Sequence, residues 1–495
     1  MSANGKPRTK VDRDEVFLEE TRSICPLCKR VIDAEVNIRD NRVVLSKRCP
    51  EHGRFEALVY SDAELYLAQM RFNKPGTIPL EFQTDVAAGC PLDCGLCPEH
   101  KQHTCLGIIE VNTACNLDCP ICFADSGHHP DGYSLTREQV AFMLDTFVAA
   151  EGEPEVLQFS GGEPTIHPEI VRFVALAKER GIRFVMLNTN GIRLARDRRF
   201  VAACAEVGAH MYFQLDGFEL ETHLAIRGKD LRADKLRALA NCADAGITVT
   251  LVAAIEKGVN EHEVGEIVRF GVSHPAVNSV VFQPVTHSGR HRVFDPLERL
   301  TNADVMKLVA AQLPEWFRVS DFVPVPCCFP TCRSMCYALV DGDSLLPLTR
   351  LLDVEPYLDY AANRVVPDLD VRHALERMFS SSATPGAERA LLACRECGID
   401  LPAALADVRE HAFVVTVQDF QDPYTLNTRQ LRKCCVAEIT PDGRLIPFCA
   451  YNSVGYREEV REQLSGVRVA PVVPNARPLL PLLEPTIYGS RTARR

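Results

Sequence analysis

Three cysteines in one short loop have the spacing of a metal-cluster ligand set. The stretch GIIEVNTACNLDCPICFADSG contains C-x3-C-x2-C, at Cys115, Cys119 and Cys122. A [4Fe-4S] cluster has four irons, which four thiolates usually hold. A loop that offers three thiolates leaves one iron without a protein ligand, and that iron is open to a small molecule. The spacing therefore predicts a reactive cluster.

S-adenosylmethionine (SAM) is the small molecule that binds such an open iron in radical chemistry. The loop follows an alternating apolar run from Ile108 to Val111, which is typical of a short strand. We therefore predict a SAM-binding cluster at the end of a strand. Its catalytic residues and ligands would be Cys115, Cys119 and Cys122.

A second triad with the same spacing lies just upstream, at Cys90, Cys94 and Cys97. Cys105 follows it and can bind the fourth iron, so these four residues are predicted to hold a fully ligated auxiliary cluster. His100 and His103 could replace Cys105, but exposed loop histidines are the simpler interpretation. The downstream triad instead follows directly after a predicted strand and precedes a repeating βα pattern. This position favours it as the SAM site.

The N-terminal region contains the two halves of a small metal site. CPLC supplies Cys25 and Cys28, and CPEHG supplies Cys49 and His52, with strand-like alternation between them. This C-x2-C and C-x2-H arrangement is typical of a ribbon that binds one metal tetrahedrally. Zinc is the default ion and a rubredoxin-like iron is the alternative. His52 precedes a glycine and could equally be a turn residue. We expect a structural module or an electron relay.

Three further cysteine-containing stretches lie toward the C-terminus: PCCFPTCRSMC, CRECG and KCCVAEITPDGRLIPFC. A chain that keeps its thiols reduced favours metal ligation over disulfides. Four ligands can come from these distant stretches, and the remaining thiols are then free. We predict a second auxiliary cluster held by Cys328, Cys332, Cys435 and Cys449.

Between these cysteine-rich regions the pattern becomes β/α. Six strand-like runs alternate with amphipathic helical stretches. Such alternation predicts a parallel sheet with right-handed crossovers, closed partway into a barrel. The predicted fold class is α/β: a partial (β/α)6 barrel with an N-terminal metal ribbon and a C-terminal auxiliary-cluster domain. The strands are expected at 108–112, 155–160, 183–188, 210–215, 247–255 and 278–285.

Polar residues follow several of these strands, at the end of the barrel where catalysis takes place in such folds. The glycines of GGEP let the backbone approach a ligand closely, and Glu163 could accept a hydrogen bond from an ammonium group. Residues after the later strands could bind a ribose, a carboxylate or the substrate, with turn formation as the alternative for each. The predicted cofactor-binding residues are Gly161, Gly162, Glu163, Asn188, Asn190, Gln214, Asp216 and Arg227.

Composition limits the class of protein. The chain has 495 residues, 46% of them hydrophobic, and a net charge of −11, so it has ample core material and no global attraction to nucleic acid. A polar N-terminus and the lack of a long apolar run predict a cytoplasmic protein. We divide the chain into a metal-binding module, an auxiliary-cluster segment, the barrel, a C-terminal cluster domain and a flexible tail: residues 1–60, 61–106, 107–313, 314–465 and 466–495.

The motifs C-x3-C-x2-C and GGEP, with the βα series, resemble the radical SAM superfamily over residues 107–313. The larger layout resembles the tetraether lipid synthase group. The shared stretches are CPLC…CPEHG, GCPLDCGLCPEHKQHTCLGIIEV, CNLDCPICFADSG, PCCFPTC and PDGRLIPFCAYN. Members of that group carry a rubredoxin-like iron site, a SAM cluster and auxiliary clusters, and they join the methyl ends of two lipid tails. A related enzyme methylates a dihydropterin.

The resemblance implies a mechanism and its partners. One electron would cleave SAM to a 5′-deoxyadenosyl radical, which would abstract hydrogen from an unactivated carbon before a carbon–carbon bond forms. Glu163 is expected at the amino group of SAM. We also expect a reductant such as ferredoxin or flavodoxin, a lipid or other small-molecule substrate, and peripheral contact with the inner face of the membrane. The alternatives are a radical SAM methyltransferase acting on a dihydropterin and, in another class, a non-catalytic metal-folded scaffold. The sequence does not predict an oligomeric state.

Overall fold

The described part of the chain contains two β-sheets of unequal size. A computed structural model of the chain describes residues 14–127, 132–325, 328–341, 344–350 and 412–465. The predicted tail, 466–495, and the CRECG motif lie outside these residues. Within them, we find no helix with the length and apolar character needed to cross a membrane.

The strands alternate with helices through the middle of the chain and are antiparallel near its start. The strands are β1 (Val16–Ile24), β2 (Val31–Arg39), β3 (Arg42–Cys49), β4 (Gly53–Tyr60), β5 (Leu106–Glu110), β6 (Val156–Ser160), β7 (Phe184–Thr189), β8 (His210–Gln214), β9 (Val249–Ile255), β10 (Val277–Pro284), β11 (Val323–Pro324), β12 (Arg333–Asp341), β13 (Ser344–Pro347), β14 (Ala412–Gln418), β15 (Val436–Ile439) and β16 (Leu445–Pro447). The helices are α1 (Ala63–Met70), α2 (Arg137–Glu151), α3 (Ile170–Glu179), α4 (Ile192–Arg196), α5 (Arg198–Glu206), α6 (Leu220–Arg227), α7 (Arg232–Asp244), α8 (Val264–Ser273), α9 (Asn302–Gln312), α10 (Thr428–Leu431), α11 (Phe448–Val454) and α12 (Tyr456–Ser465).

The large sheet is built on six parallel strands, β5 to β10, each paired with the next in the chain. The helices between them cover the outer face. Phe147 of α2, Phe173 of α3 and Leu239 of α7 are buried in the layer between helices and sheet. This arrangement confirms the predicted partial (β/α)6 barrel, and the small sheet β1–β4 confirms the predicted ribbon.

C-terminal strands extend the barrel at both edges. β14 pairs parallel with β10, and β15 pairs parallel with β5. The loops that follow these edges meet: the rings of Phe420 and Phe448 have centroids 4.6 Å apart, and the Gln421 N–H donates to Cys449 Sγ at 3.3 Å. In the parts of 314–465 that are described, the strands therefore belong to the barrel wall and form no sheet of their own.

Alternate residues of each barrel strand face different layers. In β6, Leu157 and Phe159 pack in the layer beneath the helices, whereas Val156, Gln158 and Ser160 face the interior. Other strands repeat this order, with apolar inward residues near their amino ends and polar ones near their carboxyl ends. The barrel therefore has an apolar floor and a polar mouth.

A buried ion pair joins the end of β5 to α12. Arg457 Nη2 lies 2.7 Å from Glu110 Oε1, and the Tyr451 hydroxyl donates to Glu110 Oε2 at 3.1 Å. Burial disfavours the carboxylate, but Arg457 outweighs this effect and lowers the pKa of Glu110. Arg457 also donates to the Phe123 carbonyl at 3.0 Å, so the pair ties the cysteine loop to the C-terminal helices.

We predict that Arg457→Met lowers the free energy of unfolding by about 3–5 kcal/mol, because it leaves the Glu110 carboxylate buried without its cation. Urea unfolding followed by circular dichroism measures the change. The double variant Glu110→Gln with Arg457→Met should recover part of the loss. Arg172→Met is the matched control, because it breaks an exposed pair with Glu179 and should cost less than about 1 kcal/mol. Equal losses in Arg457→Met and Arg172→Met would contradict the prediction.

Candidate active site

The cysteine loop after β5 is held in place by its own backbone. Cys122 N–H donates to the Arg290 carbonyl at 2.8 Å, and Arg290 N–H returns a bond of 2.9 Å to Cys122. Backbone N–H groups also donate to two of the sulfurs: Leu117 to Cys115 Sγ at 3.4 Å and Ser126 to Cys122 Sγ at 3.5 Å. Such donors stabilise thiolates, which is the form that binds a metal.

Burial and neighbouring negative charge act against these thiolates when no metal is bound. Burial raises the pKa of Cys115 to about 12, and Glu163, Cys119 and Cys122 add to this effect. The three thiols are therefore near enough to influence one another. Because a cluster iron would supply the missing positive charge, the group has the character of a metal site.

Arg227 places a permanent cation beside this loop. Its guanidinium hydrogen-bonds the Cys119 sulfur and forms a bidentate pair with Asp216, at 2.6 and 2.8 Å. Burial disfavours the charged form, but Asp216 outweighs burial and raises the pKa of Arg227. Asp216 also accepts from the Ala254 N–H at 3.0 Å, so it holds Arg227 rather than facing the cavity.

The GGEP turn approaches the cysteine loop more closely than any side chain would allow. A Cβ at Gly161 would lie 2.3 Å from the Asn112 carbonyl oxygen, and a Cβ at Gly162 would lie 2.1 Å from that of Ala114. The Gly162 N–H donates to Asn112 at 2.8 Å, and the Glu163 N–H donates to Ala114 at 2.9 Å. The two glycines are therefore required by the contact between these loops.

Glu163 is buried and is not among the residues that line the cavity at the barrel mouth. Its buried carboxylate accepts four hydrogen bonds, from Thr165 N–H and Oγ1, Thr189 Oγ1 and Asn190 N–H, at 2.6 to 3.1 Å. Oε1 accepts three of these bonds and Oε2 accepts one. Glu163 thus joins the ends of β6 and β7. Asn190 is likewise structural, donating to Asn116 Oδ1 at 2.7 Å.

The mouth of the barrel is a cavity of about 1270 Å³, including the part open to solvent. Of the residues predicted from the sequence, Cys122, Gly161, Gly162, Asn188, Gln214 and Arg227 line it. Several cavity residues were missed by the sequence interpretation. They are mostly amides and aromatic residues: Phe123, Gln158, Tyr212, Gln283, Arg333, Gln418, Phe420, Gln421, Phe448 and Asn452.

A signal for the missed amides exists in the sequence. EVLQFS, VVFQPV and VVTVQDF each place a glutamine on the inward side of an otherwise apolar strand. Two of the amides are buried with an unused acceptor: Gln158 Oε1 and Gln421 Oε1 have no hydrogen-bond partner among the described residues. Buried polar atoms normally have partners, so these oxygens indicate a ligand with N–H donors.

The ribbon gathers the four residues predicted for it. The ligand atoms of Cys25, Cys28, Cys49 and His52 all lie within 4.8 Å of one another. Cys28 Sγ and Cys49 Sγ are 3.8 Å apart, close to the spacing of about 3.8 Å that zinc–sulfur bonds of about 2.3 Å give in a tetrahedral site. Burial raises the pKa of Cys49, but hydrogen bonds from His52 and the backbone bring it down to about 6. The geometry fits one tetrahedral ion.

The upstream triad occupies a second, smaller cavity, but Cys105 does not line it. Cys90, Cys94 and Cys97 share this cavity with His100 and Arg432. Cys105 instead lines a separate cavity with His103 and Glu151. His100 is buried, so its interpretation as an exposed loop histidine is wrong. The reason is the docking of this segment on the C-terminal region, where His100 Nε2 bonds the Cys434 carbonyl at 2.9 Å.

The C-terminal thiols form a fourth group, which differs from the expected set of Cys328, Cys332, Cys435 and Cys449. Cys434, which the sequence interpretation missed, hydrogen-bonds Cys449, and this bond lowers the pKa of Cys434 to about 7. Burial raises the pKa of Cys332, and the neighbouring Cys434 and Cys435 raise it further. Cys332 in turn raises the pKa of Cys449, and a cluster iron would reverse these shifts. Cys328 and Cys435 are buried in the apolar layer beside this group.

Two family models match the chain. The model described as Radical SAM superfamily matches residues 109–271, and the one described as HMPTM N-terminal zinc ribbon domain matches residues 17–61. The 7,8-dihydro-6-hydroxymethylpterin dimethyltransferase of Methanocaldococcus jannaschii is 33% identical to the chain, over 90% of the chain and 96% of that protein. The chain belongs to the family of this dimethyltransferase. It is a radical SAM enzyme.

Other proteins match over less than half of the chain. The Fe-coproporphyrin III synthase of Methanosarcina barkeri is 37% identical over 30% of the chain and 36% of that protein. The crystal structure of Streptococcus suis SuiB bound to S-adenosylmethionine is 15% identical, covers 43% of the chain and 45% of that protein, and has a TM-score of 0.33. The family assignment confirms SAM and a [4Fe-4S] cluster as cofactors, and it removes the non-catalytic scaffold.

We predict that Cys119→Ala abolishes SAM cleavage while leaving auxiliary iron in place, because Cys122 of the same triad lines the large cavity. Cys94→Ala is the matched variant: it should lose iron but still cleave SAM after chemical reduction. Chromatography of 5′-deoxyadenosine and iron analysis measure both effects. Cleavage retained in Cys119→Ala and lost in Cys94→Ala would assign SAM to the upstream triad.

We also predict that Cys28→Ser removes the single ion of the ribbon and lowers thermal stability, because metal binding contributes folding energy to so small a sheet. Elemental analysis and a thermal scan measure the result. Cys204→Ala, a buried cysteine outside all four cysteine groups, should leave the metal content unchanged. Full metal content in Cys28→Ser would show that the ribbon does not use this residue.

Proposed function

We propose that the chain methylates a dihydropterin of the 7,8-dihydro-6-hydroxymethylpterin type by radical SAM chemistry. The similarity to the Methanocaldococcus jannaschii enzyme supports this substrate class because it extends from the ribbon to the C-terminal region, beyond the barrel that all radical SAM enzymes share. The relatives reported above do not include a lipid synthase. The dihydropterin alternative therefore replaces lipid-tail coupling as the preferred function.

The polar residues that line the cavity favour a dihydropterin over a lipid tail as the substrate. Gln158, Gln283 and Gln418 reach it from three strands, and Gln421 follows β14. An alkyl chain packed against buried amides would deprive them of water without offering a hydrogen bond, at a cost of about 1–3 kcal/mol for each group left unpaired. A pterin ring instead carries N–H donors and acceptors along its edge. The unused oxygens of Gln158 and Gln421 suit such donors.

Aromatic residues at the mouth suit a flat ring. Phe123, Phe420 and Phe448 line the cavity, and Phe448 lies against both of the others, with ring centroids 5.8 and 4.6 Å apart. Planar groups stack favourably on such side chains. The aromatic rings would fix the plane of a heterocycle, and the amides would hydrogen-bond its polar edge. Together they would hold the heterocycle in one orientation, with one carbon directed at the reactive group.

The chain's own residues prepare the site for the reaction. When bound, the cluster and SAM supply a one-electron step that generates a carbon-centred radical. Cys115, Cys119 and Cys122 would hold the cluster, Arg227 would balance charge beside Cys119, and the Gly161–Gly162 turn lets the cysteine loop and β6 lie in contact. The apolar floor, with Ile108 and Val436, excludes water from the substrate side.

Substrate dependence tests the function directly. The anaerobic, reduced enzyme should form 5′-deoxyadenosine from SAM faster when 7,8-dihydro-6-hydroxymethylpterin is added, and long-chain isoprenoid lipid should have no effect. Chromatography measures the product. Stimulation by lipid and not by the pterin would overturn the proposal and restore the lipid-tail function.

We predict that Gln158→Leu weakens dihydropterin binding about tenfold, because loss of one buried hydrogen bond costs about 1.4 kcal/mol. Fluorescence titration with the dihydropterin measures the dissociation constant, and SAM binding should change little. Gln463→Leu, at an exposed glutamine of α12, is the control. Unchanged pterin affinity in Gln158→Leu would exclude this amide from substrate binding.

A further inference from the structure

The upstream cysteine triad has a fourth neighbour of a different type. Cys90, Cys94, Cys97 and His100 line one small cavity, closed by Leu431 and Arg432. All four candidate ligands are buried, with His100 only 5% exposed. A cubane cluster needs four ligands to be closed by the protein. The cavity provides three thiols and one imidazole, together with the carboxylates of Asp93 and Glu99. Asp93 Oδ2 accepts hydrogen bonds from three backbone N–H groups, and Glu99 Oε2 accepts from the Cys90 N–H and pairs with Arg432, so His100 is the better candidate for the fourth ligand.

One hydrogen bond fixes the tautomer of the His100 imidazole. His100 Nε2 lies 2.9 Å from the Cys434 carbonyl oxygen. A carbonyl only accepts hydrogen bonds, so Nε2 carries the proton and Nδ1 carries the lone pair that could bind iron. Histidine ligands usually donate their other ring N–H to a carboxylate or a backbone carbonyl, which fixes the ring and the tautomer. The bond to Cys434 has this role.

Cys105 is held elsewhere. Its N–H donates to the Cys435 carbonyl at 2.8 Å, which fixes it at the start of the barrel sheet. Its sulfur lies 3.6 Å from His103 Nε2, and His103 Nδ1 lies 2.9 Å from Glu151 Oε2. These contacts surround a separate cavity at the amino end of the strands. The sulfur that the sequence suggested as the fourth ligand thus lies in different surroundings from the triad.

We infer that Cys90, Cys94, Cys97 and His100 hold the auxiliary [4Fe-4S] cluster, and that Cys105 is not one of its ligands. A neutral imidazole in place of a thiolate makes the cluster less negative, and this raises its reduction potential. The His100–Cys434 hydrogen bond then connects this cluster to the thiol group of Cys332, Cys434 and Cys449.

The test compares His100→Cys with Cys105→Ser in the full chain, reconstituted anaerobically. His100→Cys offers a thiolate at the same position and should keep its iron while the auxiliary cluster's reduction potential falls and its electron paramagnetic resonance signal changes. Cys105→Ser should keep the iron content, signal and potential of the unmodified protein. Cys97→Ser, which loses a ligand in either account, gives the signal of a damaged cluster.

Two results would overturn the inference. One is loss of iron, or a changed auxiliary signal, in Cys105→Ser with normal circular dichroism. The other is a signal and a potential in His100→Cys identical to those of the unmodified protein. None of these readouts depends on the substrate, so the inference and the proposed dihydropterin reaction can fail separately.

Discussion

The contact between the GGEP turn and the cysteine loop is the constraint on which the active site depends. At Gly161 and Gly162, no Cβ fits between the end of β6 and the backbone after β5. With this close approach, two backbone hydrogen bonds join the loops, and the carboxylate of Glu163 then extends the link to β7. The three thiols, the cation of Arg227 and the mouth of the barrel are positioned relative to this contact. A side chain at either glycine would separate the cluster loop from the strand beside it.

Residues outside the six parallel strands also fix a loop at the mouth of the barrel. Arg299 and Asp422 form a buried pair, and Asp422 also accepts from the His287 N–H at 3.1 Å, which fixes the loop that carries Phe420 and Gln421. Lys47 of the ribbon donates to the Pro423 carbonyl at 2.7 Å in the same loop. Burial lowers the pKa of Lys47 to about 7. The ribbon is therefore in contact with the wall of the cavity, and it makes this contact close to its own ligand residues, because Lys47 lies two residues before Cys49 and also donates to Ser23 Oγ at 3.0 Å.

Much of this architecture could be predicted from the sequence because local patterns determine it. The alternation of strands and helices gave the six parallel strands, and cysteine spacing gave the ribbon ligands and the cluster loop. Contacts between segments that are far apart in the sequence could not be predicted from such local patterns. The place of β14 and β15 at the two barrel edges, the approach of Cys434 to Cys449, and the burial of His100 all depend on contacts between distant segments. Asp197 illustrates a smaller limit: it caps α5 by accepting from the Phe200 N–H, which divides the helical stretch between β7 and β8 into α4 and α5.

The most direct test of the central claim is a comparison of cells that differ only in this gene. Pterins and lipids would be extracted from cells with and without the protein and analysed by mass spectrometry, with the Cys119→Ala variant as the inactive control. We expect methylated pterins to disappear in the cells without the protein and in the variant, while the lipids stay the same. Unchanged pterins together with a loss of tail-to-tail coupled lipids would contradict the account.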